Sequence, residues 1–339
     1  MKKSDYKIAL CYNVRPSFIN SGDEEKFAEF DPPETIESIS QSLKELGFKV
    51  ITIEFNEEFV ERLKTEKPNL VFNIAEGFRG EDRESQAPAI YEFLGIPYTG
   101  STPLGHIFGL NKLIAKVMLE YHGIKTPKYW VFDNLLTKDL DINIEYPAIV
   151  KPIHEGSSIG IHNNAVVRNM SELIERVNYV ISNFHQEALV EKFIEGREFN
   201  QAIIGNKNPI QFPIVEIDYS TLPPNIEKFS SFEVKTILDD PSSTICPARI
   251  TEEERQKICK TTLAAYRICK IRDYCRIDLR MDNNGEIYIL EFNTTPGIAP
   301  SIKENNSMVK AIRTYGWTYT QMIEAILNAS FERYNIVFD

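Results

Sequence analysis

Cys275-Arg-Ile-Asp-Leu-Arg-Met-Asp-Asn-Asn-Gly-Glu-Ile-Tyr-Ile-Leu-Glu-Phe-Asn293 is the stretch of the chain that decides the fold. Two strand-like runs flank Asn284-Gly285, which is the strongest short-range signal for a two-residue hairpin turn. If these two residues form the turn, Asp278 lies directly opposite Glu291 on the neighbouring strand. Because side chains alternate along a strand, both carboxylates then project from the same face of the hairpin.

The facing acidic pair predicts a bound cation. Like charges directly opposite one another destabilise a sheet, and a cation between Asp278 and Glu291 would remove that cost. The same register places Asn293 opposite Arg276 on this face. Three oxygen-bearing side chains suit Mg²⁺, which usually binds substrate phosphates as well. An ordinary hairpin with a wet polar face would explain this stretch equally well by itself.

Length and composition bound the class of protein. The chain has 339 residues, of which 42% are hydrophobic and 26% charged, as in globular proteins of two or three domains. The net charge of −11 argues against a nucleic-acid partner, because phosphate backbones need a basic surface. No apolar run approaches the length of a membrane span, and the cysteines lack metal-site spacing. We therefore expect a cytoplasmic protein without a membrane partner.

The hydrophobic pattern predicts an open parallel sheet at the N-terminus, because strands at 8–12, 49–54 and 70–73 alternate with helices at 33–46, 57–65 and 85–94. Further helices are predicted at 112–122, 171–184, 251–269 and 317–334, and further strands at 147–151, 159–167, 188–193, 198–205 and 211–216. Thr251 and Glu254 form a capping-box signature. The polar stretch 218–243 has little periodicity, as is typical of a functional lid.

Four segments, in the same order, resemble the ATP-grasp superfamily and, within it, the D-alanine–D-alanine ligases. They are Gly80-Glu-Asp82 with Leu94-Gly-Ile-Pro-Tyr-Thr-Gly-Ser101, Lys151-Pro-Ile-His-Glu-Gly-Ser-Ser-Ile-Gly-Ile161, Leu189-Val-Glu-Lys-Phe-Ile-Glu-Gly-Arg-Glu198, and Arg276-Ile-Asp278 with Glu291-Phe-Asn-Thr-Thr-Pro-Gly297. Enzymes of this family join a carboxylate to an amine through an acylphosphate and turn ATP into ADP and phosphate.

The resemblance implies an α/β ATP-grasp fold of three domains. These are an N-terminal open parallel sheet domain at 1–105, a central α+β domain at 106–190, and a C-terminal α+β domain at 191–339. The C-terminal domain is expected to have an antiparallel sheet and a lid loop at about 218–246. The resemblance also admits a homodimer, of which the sequence gives no independent sign.

The resemblance assigns ATP and a metal ion, Mg²⁺ or alternatively Mn²⁺, to named residues. The metal ligands would be Asp278, Glu291 and Asn293, and the catalytic residues Arg276, Ser157 and Lys235. The nucleotide would be held by Lys112, Lys151, Ser157, Ser158, Glu191, Lys192, Phe193, Ile194, Glu198 and Lys235. The loop 155–160 independently looks like a phosphate cradle, since its glycines permit close backbone approach. A flexible hairpin turn, and an exposed helix-start lysine at Lys112, are the plain structural alternatives.

The substrate side departs from the family pattern. Glu76 replaces a histidine, Arg83 a glycine and Thr236 a tyrosine of the family motifs. The substrate-binding residues implied by position are Glu34, Glu76, Glu81, Arg83, Thr236, Gly297 and Ser301. For Glu34 two roles stay open: binding a substrate ammonium, or complementing the dipole at a helix start.

The leading hypothesis is an ATP-dependent ligase that joins small amino-acid or peptide substrates other than D-alanine. An authentic D-alanine–D-alanine ligase of peptidoglycan synthesis is the first alternative. A nucleotide-binding protein without catalysis is the second, although such a binder would not need three metal ligands and an arginine on one face. A dinucleotide-dependent oxidoreductase is disfavoured, because no GxGxxG follows the first strand.

Overall fold

The N-terminal region is built on a three-stranded parallel sheet. The computed structural model describes residues 2–20, 22, 24–138, 142–223, 226–237, 241–301 and 305–338. The strands of this sheet are β1 (Lys7–Tyr12), β2 (Lys49–Glu54) and β3 (Leu70–Ile74), in the order β2-β1-β3. Most residues of β1 and all of β3 are buried, as expected for parallel strands covered on both faces. The helices of this region are α1 (Pro33–Glu45), α2 (Phe59–Glu66), α3 (Arg83–Leu94), α4 (Pro103–Leu110) and α5 (Lys112–Tyr121).

The strands and helices predicted for this region are confirmed to within about two residues at each end. α1 begins at Pro33, since proline has the backbone angle of a first helical residue and no N–H to satisfy. α3 ends at Gly95, which has a positive φ of 68°. The sequence pattern did not reveal α4, which Thr102 caps by accepting a hydrogen bond from the N–H of Gly105.

An antiparallel sheet forms the central region. Its strands are β4 (Tyr129–Phe132), β5 (Ala148–Pro152), β6 (Val166–Val167) and β7 (Ala188–Lys192), in the order β4-β7-β5-β6, and α6 (Met170–Phe184) packs on it. The predicted strand at 159–167 is wrong except for its last two residues. Gly160 has a positive φ of 70°, which an extended strand does not accommodate. The chain turns there and continues as a 3₁₀ turn at Asn163–Ala165.

A larger sheet forms the C-terminal region. Its strands are β8 (Gly196–Ile204), β9 (Ile210–Gln211), β10 (Val215–Ile217), β11 (Thr244–Ile245), β12 (Tyr274–Asp282) and β13 (Ile287–Asn293). The main path is β11-β10-β8-β12-β13, and β9 pairs with β8. The helices are α7 (Phe232–Ile237), α8 (Glu252–Ile268), α9 (Ser307–Thr314) and α10 (Tyr319–Tyr334). The predicted capping box at Thr251 is confirmed, whereas α7 lies in the stretch predicted to be irregular and α9 was not predicted.

The β12–β13 hairpin has the predicted pairing at its acidic end. Asp278 pairs with Glu291, and Arg276 pairs with Asn293. Asn200 on β8 pairs with Asp278 from the other side. The predicted metal face therefore lies in the interior of the sheet, between two neighbouring strands.

The predicted two-residue turn is wrong. The N–H of Asp282 donates to the carbonyl of Glu286, so the loop comprises residues 283–285, and Gly285 has a φ of 77°. A β-bulge between Asp278 and Leu279 compensates for the extra loop residue, because Leu290 has no opposite residue on β12. The extra loop residue and the bulge offset one another, so Asp278 still lies opposite Glu291 as predicted.

Both ends of the chain share one core. The ring of Tyr6 contacts the rings of Phe331 and Phe338 edge to face. Buried residues of α10, such as Met322, lie in the same hydrophobic cluster as Leu10 of β1. α10 therefore fastens the C-terminal region onto the N-terminal sheet. No helix among the described residues is long and apolar enough to cross a membrane.

Candidate active site

A cleft between the central and C-terminal sheets collects most of the predicted nucleotide residues. Its cavity has a volume of about 320 Å³. Ile149, Ile161, Phe193 and Phe229 pack in one hydrophobic cluster and form its apolar part, whereas Lys235, Arg276, Asp278 and Glu291 form its charged part. The predicted residues that line it are Lys151, Ser158, Glu191, Lys192, Phe193, Ile194, Glu198, Lys235, Arg276, Asp278 and Glu291. An apolar slot that leads to charged groups suits a base at one end and phosphates at the other.

Three side chains hold the Asp278 carboxylate in place. Nε and Nη2 of Arg276 each lie 2.8 Å from one of its oxygens. The amide nitrogens of Asn200 and Asn293 donate to these oxygens at 2.7 and 3.1 Å. The alternation along β12 predicted that Arg276 and Asp278 share a face. Asn200 was not predicted, because only the pairing of β8 with β12 reveals it.

Glu291 faces Asp278 and is surrounded by cations. The ammonium of Lys112 lies 3.8 Å from its carboxylate. Burial alone would raise the pKa of Glu291, but Lys112, Lys151 and Lys235 act together to lower it. The carboxylate is therefore held in the ionised form that a metal ligand needs.

The donor set on this face fits a hard divalent cation. Asp278, Glu291 and Asn293 present only oxygen ligands once the amide of Asn293 turns its oxygen inward. Within the described residues there is no group of three or more His, Cys, Asp or Glu side chains that could hold a metal. An ion here would complete its coordination with water and phosphate oxygens, as Mg²⁺ commonly does.

A buried group of three charges borders the cavity of the cleft, which is called the nucleotide cavity after the ligand predicted for it. The ammonium nitrogens of Lys116 and Lys151 lie 2.5 and 2.6 Å from the two oxygens of Glu191. Burial alone would raise the pKa of Glu191, but the two lysines outweigh it and lower this pKa to about 2. Lys151 therefore has a partner within the protein. Lys116 was not predicted, although it lies one turn after Lys112 on α5.

The carboxylate of Glu191 is thus engaged within the protein, and residues 191–194 all line the cavity. Glu198 is similarly engaged: its two oxygens accept hydrogen bonds from Ser230 Oγ at 2.8 Å and Arg280 Nη1 at 3.1 Å. Arg280 also was not predicted, although it continues the alternation of Arg276 and Asp278 along β12. Lys192 donates its ammonium to the carbonyl of Tyr146 at 2.6 Å.

The loop after β5 makes a tight turn. Ser157 and Ser158 both have left-handed backbones, with φ of 47° and 62°, and the N–H of Ile159 donates to the carbonyl of Gly156 at 2.9 Å. Here the N–H of Gly156 donates to Glu29 Oε1 at 3.0 Å. Lys112 is buried and donates to the carbonyl of Glu155, so the alternative of an exposed helix-start lysine is wrong.

A second, smaller cavity adjoins the metal face. Its volume is about 40 Å³, and it shares Glu155 and Glu291 with the nucleotide cavity. Its other charged or polar lining residues are Glu29, Glu76, Glu84, Lys112, Ser157, Asn293, Thr294 and Thr295. Of the residues predicted to bind substrate, Glu76 lies here.

The other predicted substrate residues lie elsewhere. Glu34, Glu81, Gly297 and Ser301 line neither cavity among the residues that the structure describes, and the side chain of Thr236 lies outside the described part. Glu34 is exposed in the first turn of α1, where a carboxylate complements the helix dipole.

Arg83 joins the acidic segment 24–31 to the loop 155–160, which is called the phosphate loop after its predicted role. Its Nη2 lies 2.8 Å from Glu29 Oε1 and 3.0 Å from Glu155 Oε2. Its Nη1 donates to the carbonyl of His154 at 2.8 Å. Glu29 was not predicted as a site residue, although its acidic segment and the unusual arginine at position 83 were both visible in the sequence.

Glu76 is a buried carboxylate among other acids. Its exposed fraction is 7%. Burial raises the pKa of Glu76 well above its usual value, and the charges of Glu84, Glu29 and Asp31 raise it further. An ionised carboxylate that is buried without a counter-ion weakens a fold. Carboxylates with strongly raised pKa values are frequent at functional sites.

The fold and the site together define an enzyme of the ATP-grasp class. Residues 115–328 match the family described as D-ala D-ala ligase C-terminus. A D-alanine–D-alanine ligase of Carboxydothermus hydrogenoformans is 30% identical over 306 residues, which cover 88% of this chain and 93% of that protein. The chain belongs to the D-alanine–D-alanine ligase family, and it is an ATP-dependent ligase that forms carbon–nitrogen bonds.

Two further comparisons show a similar relative and a similar solved structure. A Sinorhizobium fredii protein described as uncharacterized, y4sG, is 32% identical over 306 residues, which cover 88% of each chain. The crystal structure of a Bacillus anthracis D-alanine–D-alanine ligase complexed with ATP superimposes with a TM-score of 0.72 at 25% identity and covers 97% of this chain and 99% of that one.

Replacing Glu191 by glutamine is expected to lower the free energy of unfolding by roughly 3 kcal/mol, because two buried ammonium groups lose their counter-charge. The difference in unfolding free energy between wild type and the variant is full above the ordinary glutamate pKa of 4.5. It is lost as the pH falls toward the folded-state pKa of about 2. Urea unfolding at several pH values measures it. Glu145→Gln, which breaks the exposed pair with Lys128, should change stability little. Equal effects of the two substitutions would contradict the buried network.

Glu76→Gln is expected to stabilise the ligand-free protein. A carboxyl whose pKa is raised in the folded state costs stability progressively as the pH rises above the unfolded value. The melting temperature of the variant should therefore exceed that of wild type by more at about pH 8 than at about pH 5. The exposed Glu37→Gln serves as the control. If the difference in melting temperature stays constant or shrinks with rising pH, ionised Glu76 does not destabilise the fold.

Proposed function

We propose that this protein is an ADP-forming ligase that activates the carboxylate of an amino acid or peptide as an acylphosphate and joins it to an amine. The observation that carries the proposal is the face of Arg276, Asp278, Glu291 and Asn293, which lies where the nucleotide cavity meets the smaller acidic cavity. ATP and Mg²⁺, or Mn²⁺ in its place, are the groups whose chemistry this face fits.

In the first step a substrate carboxylate oxygen attacks the terminal phosphorus of ATP, and the bond from that phosphorus to the oxygen of ADP breaks. Such a transfer depends on positioning and on neutralising charge. Arg276, Lys151 and Lys235 line the charged end of the cavity and would neutralise the phosphoryl oxygens. Asp278, Glu291 and Asn293 would hold Mg²⁺, which supplies positive charge beside these oxygens.

In the second step the amine nitrogen attacks the acyl carbon, and the bond from that carbon to the phosphate oxygen breaks. Inorganic phosphate leaves, and the amine proton passes to phosphate or to water. Arg276 remains beside the departing group because its paired bonds to Asp278 fix the guanidinium. The chain thus supplies a fixed positive charge in both steps.

An authentic D-alanine–D-alanine ligase is the second candidate, and the names of the relatives favour it. The carboxylates of Glu29 and Glu76 beside the metal face favour a different substrate. The two candidates separate in one assay, in which phosphate release is measured with Mg²⁺, ATP and D-alanine alone. Robust turnover would establish the second candidate.

Asp278→Asn is expected to lower the turnover number by at least about two orders of magnitude, or roughly 3 kcal/mol in the barrier. The amide oxygen still accepts a bond from Arg276, but the amide nitrogen adds a donor where the carboxylate accepted bonds. The melting temperature should therefore fall, and the activity is compared well below it. Substrate-dependent phosphate release, with mass spectrometry of the product, measures the effect.

Asp282→Asn is the matched control, since Asp282 lies on the same strand but its carboxylate accepts hydrogen bonds only from N–H groups of the turn. Its activity should equal that of wild type. Equal activity of Asp278→Asn and wild type, or no substrate-dependent ADP across a broad amino-acid panel, would favour the non-catalytic nucleotide-binding alternative.

A further inference from the structure

The smaller cavity holds more negative charge than the surrounding chain neutralises. Besides Glu291, the glutamates that line it are Glu29, Glu76, Glu84 and Glu155. Arg83 carries one positive charge and pairs with both Glu29 and Glu155. Glu84 contacts His106 Nδ1 at 3.4 Å and Thr294 Oγ1 at 3.2 Å. Lys112 also lines the cavity and lies 3.8 Å from Glu291. Together with Arg83 and His106 it supplies at most three positive charges against the five carboxylates.

Two polar groups in this cavity lack partners. The structure gives the carboxylate of Glu76 no hydrogen bond or ion pair with any described residue, although its backbone N–H donates to Asn13 Oδ1 at 2.9 Å. The hydroxyl of Thr295, which also lines the cavity, is buried without a hydrogen-bond partner among the described residues. Leaving buried polar groups unmatched is costly, so both point to a donor that a ligand brings.

The size and place of the cavity define that ligand further. A volume of about 40 Å³ admits a group the size of one or a few water molecules, such as an ammonium, but not a whole amino acid. Because the cavity shares Glu155 and Glu291 with the nucleotide cavity, a group bound here extends from a molecule that reaches the metal face.

We propose that this cavity binds the side-chain ammonium of a diamino acid whose carboxylate is the one that ATP activates. The inference rests on the proposed function and names its substrate class. An ammonium would donate to Glu76 and to the hydroxyl of Thr295, which supplies both missing partners. A neutral amino acid brings a single positive charge, its α-ammonium, and leaves the excess of carboxylates unbalanced. A diamino acid brings two.

The test compares amino acids of equal length with and without the second amine. Wild-type protein, Mg²⁺ and ATP are assayed with 2,4-diaminobutyrate against norvaline and with ornithine against norleucine, in both configurations. The diamino acids should show kcat/KM values at least about tenfold higher. Glu76→Gln should reduce this preference to about twofold, mainly by raising KM for the diamino acid. The exposed Glu37→Gln should leave the preference intact.

Calorimetric binding of the same amino acids, with Mg²⁺ and a non-hydrolysable ATP analogue, separates this inference from the proposed function. Equal use of norvaline and diaminobutyrate by wild type would overturn the inference and leave the ligase proposal standing. Preferential diamino-acid binding that Glu76→Gln abolishes, without phosphate release, would support the cavity assignment and overturn the ligase proposal. Neither binding nor turnover of any amino acid would overturn both.

Discussion

The opposition of Asp278 and Glu291 across two neighbouring strands is the constraint on which the rest of the site depends. Facing carboxylates repel one another in a sheet. The chain offsets this repulsion with its own cations: Arg276 binds Asp278 through two nitrogens, and Lys112 lies beside Glu291. These cations line the charged end of the nucleotide cavity or border it. In the proposed function these same cations attract phosphate oxygens, and a divalent ion with a triphosphate completes the charge balance.

Ion pairs connect the acidic segment 24–31 to the loop beside the facing acids. Arg83 joins Glu29 to Glu155, and Glu29 accepts a hydrogen bond from the N–H of Gly156 in the phosphate loop. Nearby, His162 lies 3.2 Å from Glu25 of the same acidic segment and 3.0 Å from Glu233 of α7. The acidic segment therefore contacts the phosphate loop directly, and His162 links it to the helix that carries Lys235. In the proposed function, substrate recognition and phosphate binding share this network.

Much of the fold and the metal face could be predicted from the sequence, because strand alternation and cap signatures are local. The pairing of Asp278 with Glu291 was predicted correctly through an incorrect turn, since the extra loop residue and the bulge at Leu290 cancel. Partners that depend on tertiary register could not be predicted: Asn200 becomes visible only when β8 pairs with β12. Glu29 is distant from Arg83 in sequence, so no local pattern joins them. The strand predicted at 159–167 failed because Gly160 has a left-handed backbone and a 3₁₀ turn follows at Asn163–Ala165.

The central claim is that the facing acids hold a divalent ion that in turn holds the nucleotide phosphates. Calorimetric titration of ADP into the protein, once with Mg²⁺ and once with EDTA, tests it most directly. The account predicts that Mg²⁺ tightens ADP binding by at least about tenfold, because the ion bridges the carboxylates and the phosphate oxygens. An ADP affinity that is the same in EDTA as in Mg²⁺ would contradict it.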